Sequence, residues 1–191
     1  MRALKKASGY NPDVLVLVLF GNDMANAVKL IPKAGFKKKP AIVVPNLTLG
    51  MVESAGYANL EGVVGALPWT WKVPFQYGFE KGKVFVNNFK SKFNRFPSTS
   101  GASAYTILHE YKAAAERAKS FDADKVVAAL EGHKYQLLKD EQIWAKRNRQ
   151  SLQTVYAVKV KSAEEIKKSE LEMDYFDIIS SIPKEVAFKG E

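Results

Sequence analysis

The stretch Asn11-Pro12-Asp13-Val14-Leu15-Val16-Leu17-Val18-Leu19-Phe20-Gly21-Asn22-Asp23 decides how this chain is read. Val14 to Phe20 is a short run that is apolar at every position. Such a run predicts a strand in a parallel sheet with both faces covered. Gly21-Asn22-Asp23 then turns the chain, and Asn22 or Asp23 is able to cap a helix from Met24 to about Ala34, which Gly35 stops.

Working outward, the same unit recurs. Ala41 to Pro45 reads as a second strand, Asn46-Leu47-Thr48 as its turn and Leu49 to about Tyr57 as its helix, with Gly62 to Leu67 a third strand. Three such strands separated by helix-length segments predict an α/β fold built on a doubly wound parallel sheet with right-handed crossovers. In such a sheet the carboxyl ends of the strands face a ligand.

After Pro68 the pattern becomes helical. An aromatic stretch, Trp69 to Tyr77, leads into Val84, Phe85, Phe89 and Phe93 at helical spacing, ended by Phe96-Pro97-Ser98. A second helix is predicted over about Ala102 to Ala118, with Tyr105, Leu108, Tyr111, Ala115 and Ala118 as its apolar stripe. Asp122 or Asp124 starts a short helix that ends at Gly132. Strands return at Tyr135 to Leu138, Gln142 to Ala145 and Thr154 to Val160, as antiparallel or edge material. The tail, 162 to 191, mixes a charged helical segment with Tyr175 to Ile179, which should dock somewhere. The organisation expected is a parallel α/β core at 1–70, helices at 71–133, and returning strands with the tail at 134–191.

Composition narrows the function. Of 191 residues 47% are apolar, enough for a sizeable core, and the mean hydropathy is −0.20. No apolar run approaches the roughly 20 residues that span a bilayer. There are no cysteines and only two histidines, His109 and His133, so no metal site and no cofactor are expected. His109 lies one helical turn from Tyr105, but no serine, acid and histidine set accompanies it, and no catalytic residue is assigned. Gly62-Val63-Val64-Gly65 lacks the Gly-Lys-Ser/Thr of a phosphate loop. The net charge of +9 is scattered over segments that also carry acids, which reads as a solvated surface with no nucleic-acid partner. Met1-Arg2-Ala3-Leu4-Lys5-Lys6 begins with charge, yet the apolar run after it leads into no small-residue cleavage site. The chain as written is therefore expected to carry no export signal and to stay in the cytoplasm if expressed as given.

The segments also resemble a family in their order. Asn11-Pro12-Asp13-Val14-Leu15-Val16-Leu17 followed by Phe20-Gly21-Asn22-Asp23 is similar to a segment in the C-terminal lobe of type I periplasmic solute-binding proteins of ABC transporters. Glu61 to Gly65, Pro68-Trp69, Phe85-Val86 with Phe89 and Phe93, Phe96-Pro97-Ser98, Ala104-Tyr105, Ala115 to Ala118 and Val126 to Gly132 continue the series. Val155 to Lys161 resembles the family's closing strand. The resemblance implies a periplasmic-binding-protein type I fold, incomplete and lacking its N-terminal lobe. It also implies that the helices from about Val84 to Leu130 are without the sheet they would pack on, so copies of the chain are expected to associate.

The resemblance further implies reversible capture of a small solute between two lobes in the periplasm, with a membrane permease of an ABC importer recognising the closed form. The solute would be a branched-chain amino acid, an amide, a urea-like compound or a carboxylate. On its own the chain would bind weakly or not at all. A ligand-sensing regulatory or receptor module of the same fold is the alternative, and an enzyme of the doubly wound class a more distant one.

Ligand contacts in the family come from loops that match Gly21-Asn22-Asp23 and Pro45-Asn46-Leu47-Thr48, which makes Asn22, Asp23, Asn46 and Thr48 candidates. Helix N-termini there would offer unpaired N–H groups to a carboxylate or polar solute. Helix capping is the competing role of all four. Amino-acid-binding members place an acid where this chain has Asn46, which turns the expectation toward a neutral amide, urea-like solute or carboxylate unless Asp23 substitutes. Trp69 and Trp71, near the hinge, could wall the cleft or pack between helices. Tyr105 matches a ligand-reaching tyrosine but lies on an apolar stripe, so core packing is its other reading.

Overall fold

The computed structural model describes residues 1–189 and divides into two compact units. One is Met1–Leu67 with Tyr156–Ser180, and the other is Pro68–Val155 with the chain from Ser181 onward. The last two residues of the 134–191 segment, Gly190 and Glu191, lie outside the described residues.

The first unit opens with α1 (Arg2–Ser8) and then lays down β1 (Val14–Val16), α2 (Gly21–Leu30) and a 3-10 turn at Ile31–Lys33. It continues with β2 (Ala41–Pro45), α3 (Leu49–Ala55), a 3-10 turn at Tyr57–Asn59, and β3 (Val64–Leu67). β1, β2 and β3 are parallel neighbours, with Val16 opposite Val43 and Val44 opposite Gly65. The apolar runs read from the sequence therefore do form a parallel βαβαβ arrangement. Met24 and Val28 of α2, Val44 of β2 and Val52 of α3 are buried together with Leu47 and Leu60. Gly65 is required by this packing. A Cβ there would collide with the side chain of Leu47 and come within 3.0 Å of the Val44 carbonyl oxygen.

β1 corrects one expectation. Only three residues pair, and Val14 and Val18 are 52% and 80% exposed while Leu17 is buried. The strand lies at the edge of the sheet, with β2 as its neighbour, and its residues alternate between the two faces, of which the one carrying Val14, Val16 and Val18 is open. A continuous apolar run did not mean two covered faces.

The sheet is completed by segments distant in sequence, β7 (Val155–Val160) and β8 (Phe176–Ile182), in the order β1-β2-β3-β7-β8. β7 runs antiparallel to β3, pairing Gly65 with Val158 and Leu67 with Tyr156. Between them α8 (Ala163–Lys168) starts at a capping box, in which the Ser162 hydroxyl accepts from the Glu165 N–H and Glu165 accepts from the Ser162 N–H. Lys161 pairs with the buried Asp174 at 2.6 Å, which holds the chain at the start of β8. The Tyr175 to Ile179 stretch expected to dock does so largely as the outer strand of the sheet.

The second unit carries α4 (Val73–Tyr77), α5 (Glu80–Phe93), α6 (Thr99–Ala118) and α7 (Ala123–Leu130). A small antiparallel sheet follows, β4 (Lys134–Tyr135), β5 (Gln142–Trp144) and β6 (Ser151–Leu152), and the described chain closes with α9 (Lys184–Ala187). Ser98 caps α6 by accepting from the Gly101 N–H, and Asp122, one of the two starts read from the sequence with Asp124, caps α7 by accepting from the Lys125 N–H. Ala114 and Ala115 of α6 pack against Val126 of α7. The buried face of α6 is thus offset from the apolar stripe read in the sequence. Leu108 is 68% exposed and Tyr111 is exposed, while Ala102, Glu110 and Ala114 lie inward.

Candidate functional site

Each unit contributes its own set of the candidate residues. In the first, β1 and β2 are parallel neighbours, so the loops that follow them emerge at the same end of the sheet. The first loop enters α2, whose N-cap is Phe20 rather than Asn22 or Asp23. Both polar residues lie in the first turn of the helix, exposed and without a side-chain cap bond. Asp23, together with Asn26, also lines a largely apolar groove of about 500 Å³ between α1, β1 and α2.

The second loop holds Asn46 in the left-handed region, at φ 57°, where asparagine is among the few non-glycine residues that fit readily. Thr48 occupies the N-cap position of α3 and is buried, but its hydroxyl makes no cap hydrogen bond. Capping by these four side chains, the competing reading of the sequence, is therefore not what the structure holds. Asn46 is exposed at the carboxyl end of β2, and Asn22 and Asp23 are exposed beyond the carboxyl end of β1.

In the second unit Trp69 and Trp71 are buried, 4% and 5% exposed. Trp71 lies flat on Phe96 with ring centroids 3.9 Å apart and meets Phe75 edge-on. Trp69 meets Phe85 edge-on at 6.0 Å, its backbone carbonyl accepts from the Thr99 hydroxyl at 2.8 Å, and its indole Nε1 has no hydrogen-bond partner. Tyr105 is half-buried, tilted against Phe85 at 4.7 Å and His109 at 4.3 Å. It borders an open groove of about 310 Å³ with Glu80, Lys81, Val84, Leu137 and Leu138.

A smaller cavity of about 120 Å³ in the same unit is bordered by Trp69, Tyr135, Lys139, Gln142, Trp144 and Gln153, among others. Gln142 donates to Gln153 at 3.1 Å, and the Tyr135 hydroxyl lies 3.3 Å from that of Ser151. Burial pushes the Tyr135 phenol up to about 12, against a smaller opposing effect of Ser151. Burial also pushes the Lys139 ammonium down to about 7, partly offset by the charge of Asp140. Sequence reading passed over Lys139, because a lysine beside two acids looks like solvated surface. It passed over Glu110 as well, although the four-residue spacing of Glu110 and Ala114 would have placed that acid on the inward face of α6.

Among the described residues no group of three or more acidic, histidine or cysteine side chains is arranged to hold a metal ion. No helix among them is long and apolar enough to cross a membrane.

The sequence profile of the family described as periplasmic binding protein matches residues 2–165. The chain belongs to the periplasmic binding protein family. Solved structures agree on the fold. A periplasmic binding protein from Burkholderia mallei, 24% identical, superposes with a TM-score of 0.82 over 97% of this chain and 47% of its own. A branched chain amino acid ABC transporter periplasmic ligand-binding protein from Burkholderia xenovorans, 22% identical, gives 0.77 over 98% of this chain and 48% of its own. A solute binding protein of an ABC transporter from Rhodopseudomonas palustris, in complex with 3,4-dihydroxy benzoic acid and 19% identical, gives 0.73 over 96% and 48%. No curated protein sequence matches the chain. The fold is the α/β type I fold of periplasmic binding proteins, and the chain spans about half the length of the solved structures it matches.

Proposed function

We propose that the chain works as the solute-binding component of an ABC importer, taking a small polar solute at the loops that follow β1 and β2. The observation that supports this most is the pair of adjacent parallel strands whose carboxyl ends carry Asn22, Asp23 and Asn46, exposed and not engaged in helix capping. The ten-residue helix α2 begins beside them and offers its first N–H groups to an anionic or carbonyl oxygen. Asn46, with both a donor and an acceptor, suits an amide, urea-like or carboxylate group better than a lone ammonium. Among the relatives, one is named for branched-chain amino acids and one holds a dihydroxybenzoic acid, so the solute classes span amino acids and aromatic carboxylates. Trp69, Trp71 and Tyr105 act mainly as packing in the helical unit, with Tyr105 the one best exposed to meet a solute. The membrane permease is the macromolecular partner, and the setting is the periplasm.

We further infer that copies of the chain associate, because Val14, Val18 and Phe20 in one unit and Val84, Phe93 and Leu108 in the other are exposed large apolar residues. Light scattering across a dilution series is expected to show an oligomer, and a monomer at every concentration would end that inference.

The test of capture is thermal stabilisation by millimolar branched-chain amino acids, urea, short amides, benzoate and dihydroxybenzoate. At these concentrations even the weak binding expected of the chain on its own is expected to give one class a small rise in Tm, and Asp23→Asn and Asn46→Gly are expected to abolish it. If no class raises Tm, or if both variants respond like the parent, the assignment of these loops is wrong.

A further inference from the structure

The chain passes between its two units three times, at Leu67/Pro68, at Val155/Tyr156 and at Ser180/Ser181. Within the second unit a single turn, Lys139-Asp140-Glu141 between β4 and β5, reaches the end of every passage. The Lys139 ammonium donates to the carbonyl oxygen of Pro68 at 2.7 Å and to that of Thr154 at 2.7 Å. Asp140 accepts from the Thr154 hydroxyl through one carboxylate oxygen, while its other oxygen is buried without a partner. Glu141 faces the ammonium of Lys184 at 3.7 Å, just beyond the third passage.

Burial makes this arrangement exacting. Lys139 is 2% exposed and Thr154 is buried. Removing an ammonium from water costs free energy that its partners only partly offset, so such a group contributes little net stability. What it does contribute is geometry, because the buried ammonium donates to both carbonyls at once and so holds them within reach of each other. Pro68 and Thr154 are 86 positions apart in sequence, and Lys139 is bonded to both. The third tie is different in kind. At 3.7 Å it is a longer contact between a half-exposed Glu141, which also lies 3.5 Å from Lys134, and Lys184, which also lies 3.2 Å from Glu185, so that contact is interchangeable.

We propose that the turn Lys139–Glu141 is a clamp that fixes the second-unit ends of the three crossing segments to one another, firmly for the first two and loosely for the third. The clamp rests on the contacts of one unit and stands whether or not the solute-binding assignment holds.

Amide hydrogen exchange on the full chain tests it, with peptides covering 66–72, 152–158 and 179–186, and the centre of α6 as an internal reference. Lys139→Met keeps the length of the stem and removes both bonds. It is expected to raise exchange about tenfold in the first two peptides while α6 keeps its protection. Glu141→Gln is expected to raise exchange in the third peptide only. Unchanged exchange at the first two crossings, or an equal rise in α6, would overturn the clamp. Should Lys139→Met not fold, Thr154→Val and Thr154→Ser decide the matter. Loosening of 152–158 in the valine variant, absent in the serine variant, supports the clamp, and equal exchange in both overturns it.

Discussion

Glu110 of α6 and His133, which precedes β4, meet inside the helical unit, with the imidazole Nδ1 2.9 Å from a carboxylate oxygen that also accepts the Trp144 indole N–H at 3.2 Å. Glu110 is 4% exposed, so one buried oxygen joins a helix to both ends of the hairpin packed beside it. Truncation by Glu110→Ala would leave two polar groups without a partner. The expected cost is about 2–4 kcal/mol, and Glu110→Gln, which keeps an acceptor oxygen, should lose less than half of that. Urea unfolding followed by tryptophan fluorescence would measure both. Equal losses in the two variants would mean that the carboxylate charge, which glutamine lacks, and not an acceptor oxygen alone, is what this position requires.

Gly65→Ala should cost about 1–3 kcal/mol, because the new methyl enters the space of Leu47 between β2 and β3. The reference is Gly50→Ala, where nothing lies within 4 Å of the added carbon. In α3 that change should leave stability unchanged or raise it by up to about 1 kcal/mol. Thermal unfolding of the pair reads the difference directly, and a Gly65→Ala variant as stable as the parent would refute the close approach.

Lys139 gives the chain a pH dependence with a definite sign. Its pKa in the folded chain, about 7, is below the ordinary 10.5, so between those values the unfolded chain binds more protons. Stability due to this group therefore rises with pH above about 7, is complete beyond 10.5 and is lost as pH falls toward 7. Asp140 is the charge that opposes the shift, and Glu80 and Lys81 border a groove that Lys139 also lines. Tyr135, raised to about 12, acts in the opposite direction only above about 10, so the window to measure is pH 7 to 9.5. Over that window the parent is expected to gain stability relative to Lys139→Met. Parallel profiles for the two would show that the amine is not shifted.

Asn46 separates backbone strain from ligand contact. Asn46→Ala should cost about 1 kcal/mol because a left-handed φ is unfavourable for alanine, whereas Asn46→Gly should be neutral or slightly stabilising. Denaturation of the three proteins without solute checks this. If the glycine variant were as unstable as the alanine one, the amide side chain would be holding the loop itself.

Much of the parallel core was legible because its signals are local. Ala41 to Pro45 is an apolar run punctuated by proline and asparagine, and it forms β2 with those same bounds. The α7 start was legible for the same reason, since an aspartate at an N-cap acts on the next three residues. What depends on neighbours distant in the chain was not. Nothing in Val14 to Phe20 says that the strand sits at an edge, and nothing in Tyr105, Leu108 and Tyr111 says that α7 packs on a different face of their helix. β8 was read only as a docking segment, because Asp177, Ser180 and Ser181 interrupt its apolar character and its place is set by β7. Of the candidate site, the loops after β1 and β2 were found by position. The burial of both tryptophans depends on Phe75, Phe85 and Phe96, which the sequence does not assign to them.

The antiparallel entry of β7 beside β3 has a consequence for the birth of the protein. β3 ends at Leu67 and its partner begins to pair at Tyr156, so the sheet waits for the whole helical unit to be made. At ordinary rates of synthesis the interval is on the order of ten seconds. Throughout it the nascent β3 presents an unpaired backbone edge, open to a holdase or to a neighbouring nascent chain on the same message. The price of threading one unit through another is a sheet that cannot close until the helical segment between β3 and β7 has been made.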